Sequence, residues 1–286
     1  MKMKRLAVIG AGQMGSGIAE VSIRAGYSVI LIDQSDDWLE KGVQKITQNF
    51  DRQIAKGRCT AEQKTTYLNR LQTTTDLHLV RDVDLIIEAI VEKKQAKTEL
   101  FAKLDQLALS SAIFASNTSS LPITSLAAAT DRADRVIGMH FMNPVPVMKL
   151  VEVIRGLATS EETYQAVLSV TEKLGKKAVE VNDFPGFISN RILMPMINEA
   201  IYAVYEGVAT PEAVDDVMKL GMNHPMGPLE LADFIGLDTC LSIMETLHEG
   251  FADSKYRPCP LLKKYVAAGW LGRKSRRGFY DYRGAE

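Results

Sequence analysis

The chain has 286 residues, more than one domain commonly contains, so one large and one smaller domain are expected. Its 34 Lys and Arg residues nearly balance its 35 Asp and Glu residues, for a formal net charge of -1. This balance excludes the overall basic surface of proteins that bind nucleic acid or anionic membranes, and any basic patch must be local.

The cysteines and the N-terminal segment bear on location. Cys59, Cys240 and Cys259 form no Cys-x-x-Cys pair, which favours a reducing compartment over a disulfide framework, and no metal site is predicted. The basic start Met1–Arg5 resembles a secretory signal, but the glycines at 10, 12, 15 and 17 interrupt the apolar run that follows. No uncharged run is long enough to span a bilayer. We therefore expect a cytoplasmic protein.

The first elements predict a strand-helix-strand unit. The apolar run Leu6–Ile9 indicates a buried strand, and apolar residues at helical spacing predict a helix over Met14–Arg24. Tyr27–Ile32 indicates a second strand, closed by Asp33. Strands joined by a helix in this way lie parallel in one sheet.

The same alternation continues, with a helix predicted over Lys93–Leu107. The further strands predicted from apolar runs are Val83–Ile87, Ala112–Ala115, Arg135–Gly138 and Met148–Val153. They predict a doubly wound α/β domain with a mostly parallel sheet over residues 1–183. After a break at Asn182–Gly186 the spacing becomes helical, which predicts a smaller all-α domain over residues 184–286. The helical segments are Phe187–Glu206, Pro211–Leu220, Pro228–Leu247 and Leu261–Ala268.

The turn after the first strand fits the pattern G-x-G-x-x-G. It consists of Gly10, Ala11, Gly12, Gln13, Met14 and Gly15. Glycine-rich turns also occur without a ligand, but this one lies between a strand and a helix, with Asp33 at the end of the next strand. That context predicts a Rossmann-type dinucleotide site, with the pyrophosphate at the helix N-terminus and Asp33 on the ribose. NAD is favoured over NADP because a carboxylate repels a 2′-phosphate and residues 34–37 contain no arginine.

A helix predicted over Trp38–Gly57 has two distinct faces. An apolar stripe consists of Leu39, Val43, Ile46, Phe50 and Ile54, and a basic face consists of Lys41, Lys45, Arg52 and Lys56. The common explanation of a basic face is solvation. The alternative is a binding surface for a polyanionic ligand.

The segment Gly138–Val153 contains one histidine and one carboxylate, His140 and Glu152, among apolar residues. It is expected to connect successive strands, with His140 in a loop and Glu152 on the strand that follows. An imidazole oriented by a carboxylate can remove a proton from an alcohol. The alternatives are a core histidine with a solvated glutamate, and His224 as a rival base, although the turn residues around His224 favour a structural role.

Motifs along nearly the whole chain resemble the short-chain L-3-hydroxyacyl-CoA dehydrogenase family, and within it the bacterial 3-hydroxybutyryl-CoA dehydrogenases. The matching segments are Val8–Gly17, Ser116–Leu121, Gly138–Pro144, Pro185–Arg191, Asn223–Pro228 and Gly278–Tyr282. The resemblance implies NAD-dependent, reversible oxidation of a (S)-3-hydroxyacyl-CoA, with 3-hydroxybutanoyl-CoA giving acetoacetyl-CoA. It also implies a homodimer formed through the helical domain.

The same resemblance implies roles for individual residues. His140 is then the general base, Glu152 orients it, and Ser119 and Asn190 contact the substrate. The residues expected along the cofactor, besides the glycine turn and Asp33, are Glu92, Lys97, Ser119, Asn143 and Lys274. A helical hairpin near residues 38–70, with Lys56, is expected to hold the coenzyme A moiety.

Two positions depart from the family pattern. Met142 replaces an aromatic residue, a change that is expected to leave the neighbouring imidazole undisturbed. Arg276 replaces a residue free to adopt positive φ, in the turn that carries Lys274.

Two other functions stay open. One is a 6-phosphogluconate or β-hydroxyacid dehydrogenase, which uses a lysine in place of His140 and Glu152, and the other is a dinucleotide-binding redox sensor without turnover.

Overall fold

The structure is a computed structural model that describes residues 3–284. The chain divides into two compact units, Met1–Phe184 and Pro185–Glu286. This division lies next to the boundary expected from the change of pattern at residue 183.

The N-terminal unit is built on one sheet of eight strands in the order β3-β2-β1-β4-β5-β6-β7-β8. The strands are β1 (Arg5–Ile9), β2 (Ser28–Ile32), β3 (Leu71–Thr74), β4 (Leu85–Glu88), β5 (Ile113–Ser116), β6 (Val136–Phe141), β7 (Leu150–Arg155) and β8 (Lys177–Asn182). All neighbours are parallel except β6 and β7, which are antiparallel. The prediction of a doubly wound, mostly parallel sheet is confirmed.

The helices of this unit are α1 (Gln13–Arg24), α2 (Asp36–Ala55), α3 (Ala61–Leu68), α4 (Lys94–Leu107), α5 (Ile123–Ala127) and α6 (Glu161–Lys173). Helices α2 and α3 form a hairpin in the expected region. The apolar stripe of α2 lies in the core, where Ile46 and Phe50 are buried. Helix α3 is preceded by its N-cap residue Thr60, whose side chain forms a capping box with Gln63.

Three features of the sheet differ from the sequence prediction. The strands β3 and β8 were not predicted; they lie at the two edges, where polar residues alternate with apolar ones and the apolar signal is weak. Strand β6 extends to Phe141, three residues beyond the predicted end at Gly138. The expectation that His140 lies in a loop is therefore wrong, because its backbone pairs with β7 within the sheet.

The C-terminal unit is helical, as predicted. Its helices are α7 (Ser189–Tyr205), α8 (Pro211–Asp216), α9 (Pro228–Ile235), α10 (Leu237–Phe251) and α11 (Pro260–Ala267). The predicted helix over Pro228–Leu247 is divided at Gly236, whose φ of 104° a helix cannot contain. Among residues 3–284, no helix combines the length and the hydropathy needed to cross a bilayer.

Candidate active site

The glycine turn (residues 10–15) has the form of a phosphate-binding cradle. A Cβ atom at Gly10 would lie 2.5 Å from the Ala89 carbonyl oxygen, and one at Gly15 would lie 1.7 Å from the Gly10 carbonyl oxygen, so neither position tolerates a side chain. A Cβ at Gly12 would meet nothing within 4 Å. The space before Gly12 at the N-terminus of α1 is therefore open, which suits a pyrophosphate.

The other residues of the turn are arranged around this open space. The Ala11 amide donates to the Asp33 Oδ2 atom at 2.7 Å, which links the turn to the end of β2. Gln13 is exposed at the first position of α1, and Met14 is half-buried against the core. Helix α2 approaches this turn closely, because a Cβ at Gly42 would lie 2.9 Å from the Ala11 carbonyl oxygen.

A cavity of about 540 Å³ adjoins the turn at the carboxyl ends of β1, β2 and β4. Its lining includes Gly10, Gly12, Asp33, Trp38 and Leu100. A mostly apolar cleft with the Asp33 carboxylate at the end of β2 suits the adenosine part of a dinucleotide. The residues present therefore fit NAD.

His140 and Glu152 face each other across the antiparallel pair β6 and β7. The His140 Nδ1 atom lies 2.8 Å from the Glu152 Oε2 atom, and the two side chains are 11% and 3% exposed. A carboxylate at Nδ1 holds the tautomer with its proton on Nδ1, which puts the basic lone pair of the imidazole on Nε2. The possibility that Glu152 is a solvated surface residue is thereby excluded.

His140 lies at the same edge of the sheet as the glycine turn. The register pairs Ile9 with Glu88, Glu88 with Ser116 and Ser116 with Gly138, two residues before His140. Since these strands are parallel, their carboxyl ends lie side by side, where ligands of such sheets bind. His140 and the glycine turn therefore both lie at the end of the sheet where the carboxyl ends of the parallel strands meet.

The loop that carries Ser119 is held by Glu92. The Glu92 Oε1 atom accepts hydrogen bonds from the Ser119 amide at 3.0 Å, the Ser120 hydroxyl at 3.0 Å and the Thr118 hydroxyl. Burial raises the pKa of the Glu92 carboxyl, but the Lys97 charge and the Thr118 hydrogen bond outweigh it and hold this pKa below its usual value.

Lys97 lies beneath this loop and is almost completely buried. Its Nζ atom is 2.6 Å from the Glu88 Oε1 atom and 3.1 Å from the Glu92 Oε2 atom. Glu88 also accepts from the Ser116 hydroxyl at 2.6 Å. Lys97 is thus the charge partner of two carboxylates; its expected contact with the cofactor stays a prediction.

Asn143 lies in the hairpin loop (residues 142–149) between β6 and β7. Its Oδ1 atom accepts from the Gln13 Nε2 atom at 2.8 Å, so the loop is bonded to the glycine turn. Met142 is half-buried beside it.

Asn117 was missed by the sequence analysis, although it belongs to the Ser116–Leu121 motif. Its Oδ1 atom accepts a hydrogen bond at 2.9 Å from the backbone amide of Phe141, the residue after His140. Asn117 therefore ties the loop of Ser119 to the end of β6. Asn117 lies between Ser116, the last residue of β5, and Thr118, and nothing in this local sequence indicates that its partner is a strand 24 residues away.

The remaining predicted site residues belong to the C-terminal unit. Asn190 is buried in the first turn of α7. Lys274 forms an ion pair with Asp238 in the first turn of α10.

The turn that carries Lys274 keeps the conformation that the family pattern requires. Arg276 adopts the left-handed conformation, with a φ of 58°. The Arg277 amide donates to the Gly272 carbonyl oxygen at 3.0 Å and closes the turn. The turn is retained at a cost of about 1–2 kcal/mol for a non-glycine residue.

The basic face of α2 is solvent-exposed. Lys41, Lys45, Arg52 and Lys56 are all exposed, and the Lys41 Nζ atom lies 5.2 Å from the centre of the Trp38 ring. No acidic partner for these four side chains is found among residues 3–284 within 4.0 Å. A face whose four cations have no ion-pair partner within this distance, in the described part of the chain, suits a polyanionic ligand.

Comparison with protein families gives two matches that together cover almost the whole chain. Residues 5–184 match the NAD binding domain of 3-hydroxyacyl-CoA dehydrogenase, and residues 186–282 match the C-terminal domain of the same family. A probable 3-hydroxybutyryl-CoA dehydrogenase of Bacillus subtilis is 63% identical over 282 residues, covering 99% of this chain and 98% of the relative. The 3-hydroxybutyryl-CoA dehydrogenase of Bradyrhizobium diazoefficiens is 60% identical, over 99% and 97% of the two chains.

The fold has close counterparts among solved structures. The crystal structure of a (S)-3-hydroxybutyryl-CoA dehydrogenase from Ralstonia eutropha has a TM-score of 0.96 and 49% identity, covering 98% of this chain and 99% of the other. A diketoreductase has a TM-score of 0.84 and 29% identity, over 99% and 100% of the two chains.

Proposed function

Because the chain belongs to the 3-hydroxyacyl-CoA dehydrogenase family, we propose that this NAD-dependent oxidoreductase interconverts (S)-3-hydroxybutanoyl-CoA and acetoacetyl-CoA. The observation that carries the proposal is the contact of His140 with Glu152 at the sheet edge that also bears the glycine turn. This arrangement combines a base with a dinucleotide site, and the names of the relatives supply the substrate class.

Oxidation of a secondary alcohol removes a proton from oxygen and a hydride from carbon. His140 accepts the proton of the 3-hydroxyl group at Nε2, because Nδ1 is bonded to Glu152. Glu152 stabilises the imidazolium that forms. In the reverse direction His140 returns this proton to the 3-keto oxygen.

NAD, when bound, would supply the hydride acceptor. We assign its pyrophosphate to the amides of the glycine turn and its adenosine ribose to Asp33, on the grounds of the open cradle at Gly12 and the adjoining cavity. The cofactor roles that the family resemblance implies are kept as proposals for Glu92, Lys97, Ser119, Asn143 and Lys274. For Glu92 a simpler role is supported as well, because it fixes the loop of Ser119.

Ser119 and Asn190 are proposed to contact the substrate around the reacting oxygen and the thioester. A hydroxyl and an amide at these atoms would orient the bond to be broken. Replacing either side chain with Ala should lower kcat. Asn190→Ala should keep NADH binding, and a loss of that binding would contradict the assignment of Asn190 to the substrate.

The basic face of α2, with Lys56, is proposed to hold the phosphates of coenzyme A. Four exposed cations without acidic partners support this role. Charge reversal by Lys56→Glu should raise KM for acetoacetyl-CoA, and added salt should reduce the difference from wild type. The matched control is acetoacetyl-pantetheine, which lacks the nucleotide phosphates; an equal rise in its KM would contradict a phosphate contact.

The reaction is tested by following NADH absorbance with acetoacetyl-CoA. His140→Gln should remove general-acid and general-base assistance, worth about 10² to 10⁴ in rate, with NADH affinity unchanged. Turnover by this variant at nearly the wild-type rate would refute the assignment. No NADH oxidation by the wild type would favour a redox sensor, and oxidation of a free hydroxy acid in preference to acyl-CoA would favour a β-hydroxyacid dehydrogenase.

A homodimer formed through the helical C-terminal domain is also proposed. Large apolar side chains of this unit are exposed, among them Ile192, Val208, Leu220 and Met222 at 62% or more. Light scattering that gives a monomer mass at micromolar concentration would contradict it. The three unpaired cysteines support a cytoplasmic location.

A further inference from the structure

The hairpin loop (residues 142–149) joins the strand of His140 to the strand of Glu152 and contains Asn143. Pro144 and Pro146 restrict its backbone, and the Val147 and Met148 amides both donate to the Pro144 carbonyl oxygen at 3.0 Å. These features shape the turn, but its position relative to the rest of the sheet depends on contacts from outside the loop.

One of these contacts is a buried lysine that the reaction does not use. Lys176 follows the C-terminal end of α6, after Gly175 turns the chain with a φ of 73°. Its side chain is 8% exposed, and its Nζ atom donates to the Val145 and Met148 carbonyl oxygens, each at 2.6 Å. These two acceptors lie within the hairpin loop.

The charge of Lys176 faces carbonyl dipoles and no carboxylate within 4.0 Å in the described part of the chain. Burial lowers the pKa of this ammonium, and the positive charge of Arg24 at the end of α1 lowers it further. A buried cation without an anionic partner is costly. Two short charge-assisted hydrogen bonds offset that cost, and both constrain the same loop.

The loop also packs against α1. Val145 is 2% exposed, and a Cβ at Gly17 would lie 2.9 Å from the Val145 Cβ atom. Two residues before Val145, Asn143 accepts its hydrogen bond from Gln13. Lys176 is therefore bonded to a residue that packs against the helix whose first turn forms the cradle.

We propose that Lys176 is a positioning residue that fixes the hairpin loop by its ammonium group, and so holds Asn143 against Gln13 at the cofactor site. This inference rests on the proposed function for its effect on turnover, but its effect on NADH binding does not depend on the acyl substrate.

The test compares Lys176→Met, which keeps the length of the side chain and removes its charge and donors, with Lys176→Arg, which keeps both. Lys176→Met should raise the Kd for NADH, measured by fluorescence, by about 3- to 10-fold, the effect of about one lost hydrogen bond at the cofactor site. Lys176→Arg should raise the Kd for NADH less than Lys176→Met does. Hydrogen-deuterium exchange of the peptide over residues 142–149 should accelerate in Lys176→Met without ligand. The control is Lys177→Met, whose side chain is exposed on β8, with wild-type values expected.

A second variant keeps the proposal testable if Lys176→Met folds poorly. Lys176→Ala lacks the atoms of one propylammonium ion, so propylammonium should restore NADH affinity and the neutral analogue 1-propanol should not. Equal rescue by both, or a wild-type NADH Kd in Lys176→Met, would overturn the proposal. A wild-type enzyme that binds NADH and leaves acetoacetyl-CoA unreduced would refute the proposed function alone, because the comparison of NADH affinities would still stand.

Discussion

Glu152→Gln tests the pairing on which the proposed chemistry depends. Glu152 is buried and its Oε2 atom lies 2.8 Å from the His140 Nδ1 atom. Glutamine has nearly the same volume, so no cavity forms and the pairing of β6 with β7 is kept. The change removes one negative charge from beside the imidazole.

The magnitude follows from the hydrogen bond that is lost. A hydrogen bond to a charged partner contributes about 1.5–3 kcal/mol, and each 1.36 kcal/mol corresponds to a factor of ten in rate. If the imidazolium loses this stabilisation in the transition state, kcat falls by about 10- to 150-fold. The effect is smaller than that of His140→Gln, because the base itself remains.

The assay is steady-state oxidation of NADH by acetoacetyl-CoA, with the Kd for NADH measured separately by fluorescence. We expect the loss in kcat and an unchanged Kd, since Glu152 lies on β7, and β4, β5 and β6 separate β7 from the strand that leads into the glycine turn. Glu180→Gln is the matched control, because Glu180 is exposed on the neighbouring strand β8. A kcat of Glu152→Gln within about twofold of wild type would refute the charge-based reasoning.

Three further predictions concern other parts of the molecule. Lys97→Met should lower the free energy of unfolding by about 3–5 kcal/mol in urea titrations, because it leaves the buried Glu88 carboxylate without its cation. The double variant with Glu88→Gln should recover most of this stability, and no recovery would contradict the pairing of Lys97 with Glu88. Asp33→Ser should lower the preference for NAD over NADP in kcat/KM by about 100-fold or more, since a like-charge repulsion of several kcal/mol is removed, and an unchanged ratio would place the ribose elsewhere. Burial raises the pKa of the Cys240 thiol to about 12, so this thiol stays protonated at pH 8. When the native protein is treated with an alkylating reagent at this pH, mass spectrometry should find the half-buried Cys59 modified first. Alkylation of Cys240 in the native protein would contradict its burial.

Much of the candidate site could be read from local patterns. The strand-glycine-helix segment depends on residues close in sequence, and its cradle at Gly12 has the expected form. Local patterns do not predict the conformation of the turn at Arg276. A non-glycine residue disfavours positive φ, yet Arg276 adopts a φ of 58°, because the contacts of the whole turn outweigh the conformational cost at this one residue.

The sequence by itself determined the alternation of strands and helices, the change to an all-α unit near residue 184, and the types of side chain available for acid-base chemistry. These depend on periodicity and composition, which act over a few residues. The sequence did not predict the edge strands β3 and β8, because the apolar pattern of a polar, half-exposed strand is weak.

The tertiary structure alone decided which side chains meet. Twelve residues of spacing permit many relations between His140 and Glu152, and the antiparallel register of β6 and β7 selects the one in which they face each other. Likewise, Asn117 reaches the Phe141 amide and Lys176 reaches the carbonyls of Val145 and Met148 only because separate strands and helices pack side by side. Contacts between distant residues depend on the packing of the whole sheet, and no local pattern encodes them.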